Sequence, residues 1–89
     1  MSKLTSFKFT EEAYEDYLLM KQQEPKLAAK IKELILNLME TPFEGLGKPE
    51  ALKFDLSGCW SRRINQQHRL VYRVFGDEVI IISCRYHYK

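Results

Sequence analysis

A chain of 89 residues has the length of one domain, spanning 1–89, with one core and no room for a second. Its formal charge of +2 excludes a strongly cationic body or tail, so any affinity for nucleic acid has to come from local clustering of basic side chains. No apolar run is long enough to span a bilayer, the start of the chain lacks the apolar stretch of a signal peptide, and two cysteines cannot build a disulfide framework. The expectation is a cytoplasmic protein with no membrane contact and with buried, reduced thiols at Cys59 and Cys84.

In chain order, Leu4 to Thr10 alternates as a short first strand. Thr10 is placed to cap a helix, because Glu11 and Glu12 suit its positive end and Ala13, Tyr14, Tyr17, Leu18 and Met20 fall near one face. Pro25 ends that helix near Gln23 and takes the first turn of a second, whose apolar stripe is Leu27, Ile31, Leu34, Ile35 and Leu38. Thr41-Pro42 ends the second helix, and 42–49 reads as a loop punctuated by Gly45, Gly47 and two prolines. Ala51 to Leu56 is expected as a strand, joined through Ser57-Gly58 to a hairpin of Trp60–Asn65 and His68–Phe75 around Gln66-Gln67. Gly76-Asp77 then makes a type II′ turn into the last strand. The fold class is α+β, with an N-terminal strand and two helices packed on one face of a mainly antiparallel sheet.

The period of two in a strand sorts the side chains of the last three strands. Trp60, Arg62 and Ile64 share one face, with Ser61, Arg63 and Asn65 on the other. Leu70, Tyr72 and Val74 oppose Arg69, Val71 and Arg73; Ile80, Ile82 and Cys84 are the expected core set of the last strand, opposing Ser83, Arg85 and His87. Arginines and a histidine from successive strands thus meet on the side away from the helices, a candidate anion site. His87 is the side chain best suited to exchange protons there near neutral pH.

Other motifs point less far. Gly45-Leu-Gly47-Lys48 lacks the spacing of a phosphate loop and the hydroxyl residue after its lysine. Lys26, Lys30 and Lys32 read as a solvated helix face, Trp60 and Tyr72 as core, and His68 as a polar strand end. No carboxylate cluster or His/Cys ligand set is present, so neither a metal nor another cofactor is expected.

Several segments in order closely resemble the YoeB family of bacterial toxins, within the wider RelE/ParE-like superfamily: Thr41-Pro-Phe-Glu-Gly-Leu-Gly-Lys-Pro-Glu50, Leu52-Lys53, Leu56-Ser-Gly58, Trp60-Ser-Arg-Arg-Ile64, His68-Arg-Leu-Val-Tyr72 and Cys84-Arg-Tyr-His-Tyr88. The resemblance implies a microbial-ribonuclease-like fold and a toxin–antitoxin endoribonuclease that cuts messenger RNA in the ribosomal A site by attack of the substrate's 2′-hydroxyl. By position in those motifs, Glu50 corresponds to the general base, Arg69 to the transition-state clamp and His87 to the general acid. Lys53, Arg63 and Tyr88 match positions that support the phosphate and flanking bases, and Tyr88 is next in line as acid. Arg62 and Arg73 are left as ribosomal RNA contacts or surface ion pairs. Lys89 after Tyr88 and Cys59 in place of an aromatic residue depart from the family pattern.

The partners so implied are mRNA and the 70S ribosome, a YefM-like antitoxin with an acidic tail, and a second copy of the chain in a homodimer. Two other classes of function compete with RNA cleavage. A ParE-like toxin acting on DNA gyrase would have no use for Glu50 and His87 together, and an RNA-binding module would leave RNA length unchanged.

Overall fold

The computed structural model describes residues 4–85. His87 and Tyr88, two of the expected site residues, lie outside them. Strand β1 (Ser6–Phe9) leads to helices α1 (Glu11–Gln23) and α2 (Pro25–Glu40), followed by strands β2 (Glu50–Ala51), β3 (Cys59–Arg63), β4 (Arg69–Phe75) and β5 (Glu78–Ser83). The sheet order is β1-β5-β4-β3-β2; β1 runs parallel to β5, and the other neighbours are antiparallel. The fold is therefore α+β, with an antiparallel meander and one parallel edge.

Local chemistry accounts for the element ends. Thr10 Oγ1 accepts from the Ala13 amide at 3.2 Å, which caps α1, and Glu11 and Glu12 occupy its first turn. Pro25 opens α2, and the Thr41 amide closes it by donating a hydrogen bond to the Asn37 carbonyl. Gly76 has φ +58°, and Asp77 keeps negative φ, as a type II′ turn requires. The Gln66-Gln67 connection contains no residue of positive φ. Instead, Asn65 Oδ1 accepts from the Gln67 and His68 amides at 2.8 and 2.7 Å, an Asx turn that reverses the chain.

The core lies between the two helices and one face of the sheet. Ile31, Leu34, Ile35 and Leu38 of α2 and Ala13 and Met20 of α1 pack with Ile64, Leu70, Tyr72, Val79, Ile81 and Cys84. Tyr14 and Leu18, expected in the α1 stripe, are exposed. Cys84 donates to the Ala13 carbonyl, and burial pushes its thiol up to about 12, with the Asp16 charge acting in the same direction.

Three strand expectations are corrected. Ala51–Leu56 is not a strand: pairing stops at Ala51, and a 3₁₀ turn spans Phe54–Leu56 because Phe54 adopts left-handed backbone, φ +58°. In β5 the core residues are Val79 and Ile81 rather than Ile80 and Ile82. Val71 pairs with Ser83 but Tyr72 with Ile81, so an irregularity shifts the alternation by one residue and still brings Cys84 inward. His68, expected as a polar strand end, is buried.

Arg62 is the largest correction. Rather than a surface contact, it is wholly buried, and all five of its N–H donors are used. Nε donates to Tyr72 Oη at 3.0 Å; Nη1 donates to Asn37 Oδ1 at 2.7 Å and the Leu46 carbonyl at 3.1 Å; Nη2 donates to the Thr41 and Glu44 carbonyls at 2.5 and 2.8 Å. Tyr72 Oη in turn donates a hydrogen bond to the Pro42 carbonyl at 2.6 Å. Burial pushes the Tyr72 phenol up, while the Arg62 hydrogen bond and charge pull it down. None of the five acceptors is a carboxylate. The positive charge sits instead at the C-terminal end of α2, where the helix dipole is negative.

Replacing Arg62 with Met should leave several buried acceptors unpaired. The expected loss is about 3 kcal/mol, from roughly 1–3 kcal/mol per unsatisfied group. For a domain of this size that is a fall in thermal midpoint on the order of 10–20 °C by circular dichroism. A fall of only a few degrees would contradict this role.

Candidate active face

The same strand that buries Arg62 turns Arg63 outward. The loop held by Arg62 returns to β3 through a 2.7 Å bond from the Arg63 amide to the Gly47 carbonyl. A side chain at Gly47 would meet Arg62 Cβ, the Arg63 carbonyl and Leu34 Cδ2, each at 3.0 Å, and φ there is +79°. From this point the chain runs through Lys48 and Pro49 into β2, which delivers Glu50 opposite Ser61 of β3. The position of Glu50 thus follows from the buried network.

On β3 and β4 the register sets Ser61 against Val71 and Arg63 against Arg69. Arg69 reaches diagonally: its Nη1 lies 3.0 Å from Ser61 Oγ, to which it donates, and 3.4 Å from Glu50 Oε1. The Arg69 side chain is 16% exposed and that of Glu50 63%, so the guanidinium is held while the carboxylate faces solvent. Ser61, Val71 and Ser83 on the same face are buried. Among the described residues Arg63 has no carboxylate partner, although it sits directly across from Arg69. Facing like charges oppose folding, and a phosphate would relieve them.

The structure therefore brings together Glu50, Arg69 and Arg63 of the residues singled out in the sequence. Lys53 is exposed at the cap of the 3₁₀ turn, in extended backbone three residues beyond Glu50. Arg85 does not join the arginine face as expected; past the end of β5 it turns to α1, with Nη1 3.7 Å from Asp16 Oδ1. Ser61 was not among the expected site residues. The signal for it was present in the alternation that places it beside Arg63.

A fixed guanidinium beside an exposed carboxylate can clamp a phosphodiester while the carboxylate accepts a proton. The model of the YoeB-like toxin of bacterial type II toxin–antitoxin systems matches residues 9–88. This chain belongs to that family. It is 52% identical over 80 residues to toxin YoeB of Escherichia coli strain K12, covering 90% of this chain and 95% of the relative. Among solved structures, the YoeB/ParE toxin from Agrobacterium tumefaciens superposes with a TM-score of 0.92 at 44% identity, covering 94% of this chain and all of that one. The YoeB dimer from Staphylococcus aureus gives 0.88 at 44% identity, covering 98% and 100%. A YoeB–YefM complex from the same organism gives 0.87, with the same identity and coverage. The protein is thus a toxin of a type II toxin–antitoxin system, and the face built by Arg69, Glu50 and Arg63 is the part of the YoeB fold left uncovered by its helices.

Charges exposed on a sheet face contribute little to stability. Glu50→Gln should change the thermal midpoint by no more than the equivalent of about 1 kcal/mol, the upper range for an exposed pair. Arg63→Ala should leave stability unchanged or raise it by up to about 1 kcal/mol, since it removes a facing like charge. Urea denaturation of both variants checks this; a large loss in either would make the residue structural.

Proposed function

We propose that this toxin is a ribosome-dependent endoribonuclease that cuts mRNA in the A site through the substrate's own 2′-hydroxyl. The observation that carries this reading is the contact set Glu50–Arg69–Ser61, with Arg63 across from it, in a chain of the YoeB family. Glu50 takes the proton of the 2′-hydroxyl as general base. The freed O2′ forms a bond to phosphorus, the P–O5′ bond breaks, and His87 gives a proton to the departing O5′ as general acid, with Tyr88 able to follow it in that role. The products carry a 2′,3′-cyclic phosphate and a 5′-hydroxyl.

Arg69 stabilises the negative charge that develops on the non-bridging oxygens, a task for which a planar, fixed fork suits better than a mobile ammonium. Ser61 keeps that fork in place when the phosphate displaces Glu50 from it. Arg63 and Lys53 hold the phosphate and its neighbours. Each step is proton transfer or charge stabilisation by side chains, so the scheme calls for no metal or cofactor.

The partners follow from the same reading. A YefM-like antitoxin would neutralise the toxin by laying an acidic segment on the arginine face, as charge complementarity favours. Such a toxin acts in the cytoplasm, where the ribosomes are. Homodimer assembly, as in the S. aureus relative, is proposed for this chain as well; a sedimentation mass of one chain at micromolar concentration would count against it.

The test is mapping of RNA ends on ribosomes carrying a defined message. The unmodified toxin should cut within the A-site codon. Glu50→Gln and His87→Ala should each slow cutting by about 100-fold or more, as expected for loss of a proton-transfer group. Arg69→Ala should slow it on the order of 100- to 1,000-fold. In His87→Gln the decline of rate at alkaline pH should disappear, because a neutral amide has no proton to lose. No cutting by unmodified toxin on competent ribosomes would overturn the reading in favour of gyrase inhibition or plain RNA binding.

A further inference from the structure

The proposed chemistry uses one end of the uncovered face and leaves the other end unexplained. Arg73 lies on β4 four residues beyond Arg69 and on the same side, roughly 13 Å along the strand at about 3.3 Å per residue. Its guanidinium carbon is 5.0 Å from the Phe75 ring centroid. Gly58 lies against the same guanidinium: a Cβ there would be 3.3 Å from Arg73 Cζ and Nη2, and φ is +94°, so the site favours glycine on both counts. The arginine is therefore placed by a ring and a backbone rather than by a carboxylate. Among the described residues it has neither an ion pair nor a side-chain hydrogen bond.

One exposed ring lies against it, and a second exposed ring belongs to the connection whose last residue, Gly58, it touches. Phe75 is 54% exposed, and Phe54, in the connection that ends at Gly58, is 89% exposed with left-handed backbone at φ +58°. Left-handed backbone in a bulky residue costs free energy and is uncommon. Nearly complete exposure of the ring means that core packing does not repay that cost.

We propose that Arg73, Phe75 and Phe54 form a second subsite for single-stranded RNA, separate from the cleavage centre, with a phosphate on the guanidinium and a base on an exposed ring. A cation with donors unused beside sequence-tolerant stacking surfaces is the arrangement that binds single strands. Charge alone would also suit an acidic protein segment, but the exposed rings favour bases, whose flat faces stack on them. The guanidinium already lies against the Phe75 ring and the Gly58 backbone, which limits the side-chain freedom left to lose on binding. The inference rests on the ribonuclease reading, because it supplies a longer footprint for the same RNA.

The probe is a fluorescent single-stranded RNA oligonucleotide made uncleavable by 2′-O-methyl groups throughout, titrated with the full chain at several salt concentrations. Arg73→Ala should weaken binding at least fivefold and flatten the slope of log affinity against log salt by about 0.7, one phosphate's share for a single strand. Phe54→Ala should weaken it between about fivefold and a hundredfold, the loss of one stacked base. Arg73→Lys should restore the salt slope, and Phe75→Tyr should bind as the unmodified protein does, which separates loss of contact from loss of fold.

Unchanged affinity and slope in both alanine variants would overturn the subsite, as would absence of oligonucleotide binding by the unmodified protein. Variants that bind RNA normally but lose affinity for the antitoxin would assign the surface to a protein partner instead. If the unmodified toxin binds the oligonucleotide through Arg73 yet cuts no message, the subsite stands and the cleavage reading falls. If it cuts while the variants bind unchanged, only the subsite falls.

Discussion

The guanidinium of Arg62 is the constraint on which the rest of this structure depends. Burying a cation is costly unless its donors are met, and here each of the five meets an oxygen that carries no formal charge. Three of these are carbonyls at Thr41, Glu44 and Leu46, so one side chain fixes the course of a loop rich in glycine and proline that has little packing of its own. Asn37 Oδ1 serves twice, accepting from Arg62 and from the Leu46 amide, and Phe43 rests on Trp60 with ring centroids 4.9 Å apart. A pair of apolar residues could fill the same volume but could not choose among loop paths. Directional donors can.

That choice reaches the surface by alternation. Arg62 points into the core and Arg63 out of it; the loop fixed by the first returns to the backbone of the second and then supplies Glu50. The uncovered face is assembled against ordinary folding preferences: two arginines sit opposite one another, and Ser61 is buried where its hydroxyl accepts from Arg69. The Glu50–Arg69 contact is long at 3.4 Å and open to solvent, which makes it easy for a phosphate to displace. A half-buried guanidinium beside an exposed carboxylate is an arrangement that an incoming anion can enter without disturbing the core.

Much of this could be read from residue order. The α1 cap at Thr10, the start of α2 at Pro25, the β3–β4 hairpin, the turn at Gly76-Asp77 and the placement of both helices on one face followed from local chemistry that tertiary structure did not override. What failed to show did so for identifiable reasons. A left-handed phenylalanine has no marker in composition, so Phe54 was absorbed into a strand. A one-residue slip in β5 reverses every inference about which isoleucine is buried, and Arg85, beyond the end of that strand, turns to Asp16 where no strand alternation applies. Arg62 fell on the apolar face in the simple alternation, beside Trp60 and Ile64, but the general exposure of arginine outweighed that sign. That Glu50, Arg63 and Arg69 share the uncovered face was legible, and Ser61 was overlooked because a serine between charged residues seldom stands out.

The proposed reaction takes its nucleophile from the RNA and not from the protein or from water. Its most direct test is a message on the ribosome with a single 2′-deoxy nucleotide on the 5′ side of the scissile bond, compared with the unmodified message under the same conditions. The account predicts that cutting at that bond vanishes while ribosome binding is kept. Cutting at an undiminished rate would contradict it, since no 2′-oxygen would be present to attack.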